Sequence, residues 1–244
     1  MNSLNSSHES LADLLVKICG IKRPEDAILA DKLGADLLGL IHIERSPRHL
    51  TGGELEDILS LIPPEKAVIV LEPSDPVEVA EVIERTGVER IQLHSISCED
   101  ARGIKRVLTE NGFNPGITVA VPPEPGALDV LDHIPCSCVL LDSSSGGRTG
   151  GTGRMIPPEL ALGMLRLIRS HGSAPEVALA GGLGPSTVRL NPEYLLEFDC
   201  LDFNSGIEAA PGIKDHAMMF ELMECMGRMG GLQKPSRLQR GELS

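Results

Sequence analysis

The chain has 244 residues, of which 41% are hydrophobic and only 2% aromatic, and its formal net charge is −13. This length and apolar content suffice for one sizeable core, and the scarcity of aromatic residues predicts an aliphatic core like that of a parallel sheet. The negative charge argues against nucleic acid or an anionic membrane surface as the main partner, because both bind cationic patches.

The apolar runs, the termini and the cysteines indicate where the protein is located and whether its thiols are reduced. No stretch approaches 18 consecutive apolar residues and residues 1–10 carry no signal pattern, so we predict no membrane span and a cytosolic location. The six cysteines are expected to be reduced thiols, and the spacing of Cys136 and Cys138 does not fit a metal site. Polar, aperiodic ends predict a disordered extension over residues 1–11 and a flexible tail over residues 230–244, around a single domain of residues 12–229.

Eight short apolar runs alternate along the chain with amphipathic stretches, and each run is typical of a buried strand. Proline and acidic residues indicate a helix start at Pro24, which Gly34 ends, and another at Pro76, which Gly87 ends. A third helix is predicted to begin at Pro185. The predicted strands begin near Leu14, Leu37, Ala67, Arg90, Ile117, Cys138, Glu176 and Cys200.

The repeat of strand and helix predicts parallel strands joined by right-handed crossovers. Eight such units favour an α/β fold of the (β/α)8-barrel (TIM-barrel) type over an open sheet. In such a barrel the loops that follow the strands form the catalytic mouth, so the strand ends hold the candidate functional residues. The longest interval follows the sixth strand, and its extra length lies in residues 143–156, which is typical of a functional loop.

The first two strands end in chemically useful residues. Cys19 closes the first strand and precedes Gly20; it is either a small packing residue or a nucleophile or base. Lys17 and Lys22 add positive charge nearby, which would favour a thiolate. Arg48, in the second loop, suits bidentate binding of a carboxylate or phosphate, and a solvated loop charge is the alternative.

The fourth and sixth strands bring further polar residues to the mouth. Gln92 and His94 lie at the end of the fourth strand, and Asp142 closes the sixth. Asp142 is placed where barrels hold acids and bases, although it could also cap the following loop. A glycine-rich run then exposes backbone N–H groups that could bind an anion, or simply provides flexibility; its candidate residues are Gly150, Gly151, Thr152 and Gly153.

The last two strands predict a phosphate site. Gly181 and Gly182 follow the seventh strand, and Asn204 and Ser205 follow the eighth, in which Asp202 lies. Glycines at these two ends let the backbone approach a phosphate, and a helix N-terminus adds a favourable dipole.

A series of motifs occurs in a fixed order: Lys-Ile-Cys-Gly-Ile, Ser-Pro-Arg, Gln-Leu-His, Leu-Leu-Asp, Gly-Gly-Thr-Gly, Ala-Gly-Gly-Leu and Asp-x-x-Ser-Gly-Ile-Glu-x-x-Pro-Gly-x-Lys-Asp. Together, over about residues 14–220, they resemble the phosphoribosylanthranilate isomerase family of tryptophan biosynthesis. The resemblance implies an Amadori rearrangement of N-(5'-phosphoribosyl)anthranilate to 1-(2-carboxyphenylamino)-1-deoxyribulose 5-phosphate, with no cofactor and no metal.

The resemblance also implies roles for single residues. Cys19 would be the general base, Asp142 the general acid, and Arg48 the contact to the anthranilate carboxylate. This chemistry needs a thiolate and a protonated carboxyl group, so we expect positive surroundings to lower the pKa of Cys19 and an enclosed mouth to raise that of Asp142. The phosphate would rest on backbone N–H groups of Gly181, Gly182, Asn204 and Ser205. The mouth would also be lined by Gln92, His94 and Asp202.

The chain departs from the family pattern after the sixth strand, where Arg154-Met155-Ile156-Pro157-Pro158 replaces the usual Lys-Thr-Phe-Asp-Trp. One alternative is therefore a regulatory paralogue that binds a phosphorylated ligand without catalysis. Another is an aminoaldose isomerase of histidine biosynthesis, but those commonly use paired aspartates at strands one and five, whereas strand one ends here in Cys19. The predicted partner is a small phosphorylated substrate, bound by a monomer or a homodimer.

Overall fold

The computed structural model describes residues 10–145, 148–149, 155–172 and 175–228. Eight parallel strands close into a barrel in which each strand pairs with its neighbours in chain order and the last pairs with the first. This confirms the predicted (β/α)8 barrel. The strands are β1 (Leu15–Cys19), β2 (Leu37–Ile41), β3 (Ala67–Leu71), β4 (Arg90–Leu93), β5 (Gly116–Val121), β6 (Cys138–Leu141), β7 (Glu176–Leu179) and β8 (Cys200–Phe203).

All eight predicted strands are present, and their starts differ from the prediction by one residue at β1 and at β5. The helices between them begin where proline or a capping side chain provides a start: Asp75 accepts a hydrogen bond from Val77 N, and Gly87 ends the same helix with φ 65°. The helices are α1 (Pro24–Lys32), α2 (Gly52–Leu59), α3 (Pro76–Thr86), α4 (Cys98–Glu110), α5 (Pro158–Arg169), α6 (Pro185–Leu190), α7 (Pro192–Leu195) and α8 (His216–Cys225).

The segment after β5 differs from the regular repeat. A 3-10 helix, Pro125–Asp132, stands there in place of an α-helix. Pro122 and Pro123 precede this helix, and Pro125 is its first residue.

Alternation along the strands divides the buried side chains between two cores. Val16 and Ile18 belong to the large aliphatic core between strands and helices, in which Leu, Ile and Val predominate. Residues of the opposite face point into the barrel, where the side chains are smaller and more polar. The interior positions therefore provide the walls and floor of the mouth.

A short hairpin follows β8 and was not predicted from the sequence. Its strands, Glu208–Ala210 and Ile213–Lys214, pair antiparallel across a turn at Gly212, whose φ is 80°. The hairpin places Glu208 against Arg48 and Lys214 against Asn204, two residues of the loops after β2 and β8. A second small antiparallel pair joins Ser144–Ser145 to Arg148–Thr149 after β6.

The predicted terminal extensions, residues 1–11 and 230–244, lie almost entirely outside the described residues. Residues 1–9 and 229–244 lie outside the described residues, and the first described element is a single 3-10 turn, Leu11–Asp13, that Ser10 caps. Within the described part of the chain, no helix has the length and apolar character needed to cross a membrane.

Candidate active site

A cavity of about 310 Å³ opens at the carboxyl ends of the barrel strands. The predicted site residues that lie within the described chain all line it, although they come from strands far apart in sequence. The predicted loop Gly150, Gly151, Thr152 and Gly153 lies outside the described residues. The lining residues that were predicted are Cys19, Arg48, Gln92, His94, Asp142, Gly181, Gly182, Asp202, Asn204 and Ser205.

Cys19 is buried on β1, directly across from Gly39 on β2. A Cβ atom on Gly39 would lie 2.6 Å from Cys19 Sγ, so the glycine makes room for the thiol. Burial and the charge of Asp202 raise the pKa of Cys19 to about 11, and the opposing charges of Lys17 and Lys214 do not offset them. The expectation that positive surroundings lower this pKa is therefore wrong.

Burial is the largest cause of this rise, and Lys17, a predicted source of positive charge, is paired with an anion. Its Nζ lies 2.7 Å from Asp202 Oδ2, and both side chains are only 4% exposed. Burial lowers the pKa of Lys17, but Asp202 and Cys19 outweigh it and the net direction is upward, so Lys17 stays charged. Lys17 still acts to lower the pKa of Cys19, but its effect is smaller than that of burial and smaller than that of Asp202. Lys22, the other predicted cation, is not among the charges that act on Cys19.

A polar chain continues from Lys17 across the barrel. Lys17 Nζ donates to Gln92 Oε1, and Gln92 Nε2 lies 2.6 Å from His94 Nε2. Because the amide oxygen accepts from Lys17, the amide nitrogen must donate to His94, whose neutral ring then carries its proton on Nδ1. Asp202 Oδ1, at the other end of this chain, is buried without a hydrogen-bond partner among the described residues. It is an acceptor available to a ligand.

Asp142 follows β6 and points inward, as its alternation with Cys138 and Leu140 requires. Its side chain is buried, and Ser143 Oγ lies 3.5 Å from its Oδ1. Burial, followed by the negative charge of Asp202, raises the pKa of Asp142 to about 7. This agrees with the expected direction, and it makes the carboxyl group able to exchange a proton near neutral pH.

Arg48 is held by Glu208 in a bidentate ion pair. Arg48 Nε lies 2.9 Å from Glu208 Oε1, and Arg48 Nη2 lies 2.6 Å from Glu208 Oε2. Lys214 Nζ lies 3.0 Å from Glu208 Oε1 and 3.0 Å from Asn204 Oδ1. The predicted carboxylate ligand Arg48 therefore already contacts one carboxylate of the protein itself.

The predicted phosphate loops meet at the far side of the cavity. Gly181 and Gly182 have φ values of 92° and 63°, a conformation that other residues rarely adopt. A Cβ on Gly206 would lie 2.0 Å from the carbonyl oxygen of Leu183, so the loops after β7 and β8 pack backbone against backbone. This close packing leaves no room for a side chain at Gly206. The helices that follow, α6 and the 3-10 turn Ser205–Ile207, are short.

Sequence reasoning missed two functional candidates, Glu208 and Lys214. Both stand in the motif Ser-Gly-Ile-Glu to Lys-Asp, but the predicted roles ended at Ser205. The signal was two opposite charges close to a predicted phosphate loop. Within the described ranges, no group of three or more metal-ligating side chains comes together.

Comparisons with known proteins agree with this geometry. The family model of N-(5'-phosphoribosyl)anthranilate (PRA) isomerase matches residues 16–225. A curated N-(5'-phosphoribosyl)anthranilate isomerase of Methanothermobacter thermautotrophicus is 96% identical over 99% of this chain and 100% of its own length. One of Methanothermobacter marburgensis is 54% identical over 85% of this chain and 92% of its own length.

Solved structures extend the agreement to the fold. The phosphoribosyl anthranilate isomerase of Thermus thermophilus superposes with a TM-score of 0.71 at 28% identity, over 88% of this chain and all of its own. A second isomerase of this kind, solved in complex with reduced 1-(o-carboxyphenylamino)-1-deoxyribulose 5-phosphate, has a TM-score of 0.69 at 24% identity, over 88% and 98% of the two chains. On this evidence the chain belongs to the N-(5'-phosphoribosyl)anthranilate isomerase family.

Proposed function

We propose that this isomerase converts N-(5'-phosphoribosyl)anthranilate to 1-(2-carboxyphenylamino)-1-deoxyribulose 5-phosphate, with Asp142 as general acid and Cys19 as general base. The observation that carries the assignment is their shared cavity. The two titratable groups line it together with a pair of glycine loops suited to a phosphate and an arginine suited to a carboxylate. The substrate has the same three parts: a phosphate, a reacting sugar and a carboxylate.

Asp142 would act first. Opening of the ribose ring requires a proton on the ring oxygen while the C1' to ring-oxygen bond breaks and the anthranilate nitrogen forms a Schiff base with C1'. Because the pKa of Asp142 is raised to about 7, its carboxylate accepts a proton from Cys19 more readily than a carboxylate of ordinary pKa would.

Cys19 would then remove the proton from C2', which the Schiff base has acidified. The electron pair moves into the C1'–C2' bond and gives an enolamine, which tautomerises to the ketone. Proton transfer from the Cys19 thiol to the Asp142 carboxylate generates acid and base together without changing the net charge of the site. The high pKa makes the thiolate scarce, but it also makes it a stronger base once formed.

The other residues would bind the substrate. The phosphate rests on the backbone of Gly181, Gly182, Asn204 and Ser205, and Arg48 pairs with the anthranilate carboxylate. Asp202 Oδ1 lacks a partner among the described side chains and accepts a hydrogen bond from a sugar hydroxyl group. Gln92 and His94 line the same wall.

The same proposal covers the setting of the reaction. The chain acts on a small phosphorylated molecule in the cytoplasm, as a monomer or a homodimer. One solved relative, from Thermotoga maritima, is described as dimeric, which supports the second state. Gel filtration coupled to light scattering distinguishes the two.

The deciding experiment follows the fluorescence of freshly made phosphoribosylanthranilate after addition of the purified protein. We expect the signal to decay much faster than in buffer. Decay at the uncatalysed rate would refute the proposal. If such an inactive protein still bound the reduced product analogue, the alternative of a non-catalytic phosphosugar-binding paralogue would stand instead.

A further inference from the structure

One edge of the Arg48 guanidinium group is paired with a carboxylate, and the other edge has no hydrogen-bond partner among the described residues. An arginine has five N–H donors. Glu208 occupies the edge formed by Nε and Nη2, through contacts of 2.9 and 2.6 Å. Three donors, on Nη1 and Nη2, have no hydrogen-bond acceptor among the described residues. The side chain lines the cavity, so the open edge can bind a second carboxylate in the same forked manner.

Glu208 is itself fixed from three directions. Its Oε1 accepts from Lys214 Nζ at 3.0 Å and from the backbone N–H of Gly212 at 3.2 Å, besides its bonds to Arg48. The side chains of Arg48, Glu208 and Lys214 are 11%, 4% and 0% exposed. Burial acts to raise the pKa of Glu208, but Arg48 and Lys214 outweigh it and the net direction is downward, so the carboxylate is charged. A buried, saturated carboxylate holds its partner in one orientation.

Lys214 connects this ion pair to the phosphate side of the mouth. Its Nζ lies 3.0 Å from Asn204 Oδ1 and 3.3 Å from Asn204 O, at the start of the loop after β8. Its backbone N–H donates to Asp26 Oδ2 at 3.2 Å, and Asp26 is fully buried on α1. The hairpin that carries Glu208 and Lys214 is thereby tied to the barrel scaffold.

The loop that follows β1, which begins at Gly20, contacts the same group of residues. Gly20, next to Cys19, has φ 71°, and a Cβ there would lie 2.5 Å from Asn204 Oδ1 and 2.7 Å from Arg48 Cδ. Arg48, Asn204 and the backbone beside Cys19 therefore touch at one point. Counting ionised groups, two cations and one anion leave the cluster with a single positive charge, which one bound carboxylate would balance.

We infer that Glu208 is a positioning residue that aims the open edge of Arg48 at the substrate carboxylate, and that Lys214 couples this contact to the phosphate-side loop. The inference rests on the proposed role of Arg48. Without Glu208, Arg48 and Lys214 would face each other as two buried cations with no anion between them. Arg48 would then turn away from its aimed position.

The test compares two ligands that differ only in the carboxylate: reduced 1-(o-carboxyphenylamino)-1-deoxyribulose 5-phosphate and its phenylamino counterpart. Titration calorimetry gives both dissociation constants. The dissociation constant of the phenylamino ligand divided by that of the carboxyphenylamino ligand measures the strength of the carboxylate contact. Arg48→Ala, the reference variant, should reduce the ratio to near one. Glu208→Gln should reduce it by about tenfold, the size of one charge-assisted hydrogen bond, while binding of the phenylamino ligand stays unchanged.

Two further variants keep the inference open to refutation if Glu208→Gln folds poorly. Glu208→Asp retains the charge but withdraws it by one methylene, and should give an intermediate ratio. Lys214→Met should reduce the ratio and also weaken the phenylamino ligand, because Asn204 loses its partner. Melting temperatures check that each variant is folded.

The outcomes distinguish a failure of the role inferred for Glu208 from a failure of the role proposed for Arg48. Equal weakening of both ligands in Glu208→Gln would make Glu208 a structural support and overturn the inference. Tighter binding of the carboxylate ligand would overturn it too, since Glu208 would then be a competitor for Arg48. If the wild type itself does not distinguish the ligands, or Arg48→Ala leaves the ratio intact, the proposed role of Arg48 fails first.

Discussion

Two sides of the same mouth are built on different physical principles. On the reacting side, at the ends of β1 and β6, Cys19 and Asp142 have few hydrogen-bond partners, and burial raises the pKa of both. On the anchoring side, Arg48, Glu208 and Lys214 are equally buried but form a paired network, beside loops whose glycines bring the backbone to the cavity. Burial of a lone titratable group changes its proton affinity, whereas burial of a paired group fixes its position.

The largest expected effect comes from substitutions that change only the reacting side. Cys19→Ser and Asp142→Asn should each reduce kcat by about 10³-fold, the scale of general acid–base catalysis. Both variants should bind the reduced product analogue as the wild type does, because the anchoring side is intact. Stopped-flow and titration measurements check the two halves separately.

Cys98→Ser is the matched control, since Cys98 lies at the start of α4 and does not line the cavity. It should leave kcat unchanged. Near-wild-type kcat in Cys19→Ser would make Cys19 a packing residue and remove the proposed mechanism, even though the fold would stand.

The pH dependence sharpens the same side. Below pH 7 both groups are protonated, and loss of one proton gives the reactive charge state, which persists until Cys19 ionises near 11. We therefore expect kcat/KM to rise about tenfold per unit up to pH 7, or about a hundredfold from pH 5, and then to level off.

Asp142→Asn identifies the group responsible. Its residual activity should lose the break near pH 7 and increase toward the pKa of Cys19. If the break persists in this variant, it belongs to another group, such as the substrate phosphate, whose second pKa is about 6.

A third prediction breaks the anchoring side. Gly182→Asp should raise KM about tenfold or more, because a carboxylate would repel the substrate phosphate, and should abolish the rise in melting temperature that inorganic phosphate gives the wild type. Gly182→Ala carries the same backbone strain at φ 63° without the charge, and should retain more of the phosphate effect. An equal phosphate effect in the wild type and Gly182→Asp would place the anion elsewhere.

The smallest expected effect is steric and again concerns the reacting side. Gly39→Ala would place a methyl group 2.6 Å from Cys19 Sγ and should displace the thiol, which reduces kcat by up to about tenfold without changing phosphate binding. Gly116→Ala, on β5, is the control, because its added methyl group would meet neighbours only at 3.6 Å or more. Equal kcat values in the two variants would show that the position of the thiol is not critical.

The barrel could be predicted from the amino-acid sequence alone, and so could the strand at whose end each catalytic candidate lies. Apolar runs, prolines and glycines act locally, so all eight strands could be placed to within one residue. Once the strands are ordered, alternation directs Cys19, Asp142 and Asp202 into the mouth. The segment after β5, where a 3-10 helix stands in place of an α-helix, was the exception.

Which charges meet depends on the packing of strands and loops that are distant in the chain. Lys17 and Asp202 are 185 residues apart in the chain, and Arg48 and Glu208 are 160 apart, yet each pair is in direct contact. Burial, followed by the charge of Asp202, reversed the expected direction of the Cys19 pKa, because the opposing charges of Lys17 and Lys214 do not offset them. Proton affinity depends on burial and on every nearby charge, and both are set by the packing of strands that are distant in sequence.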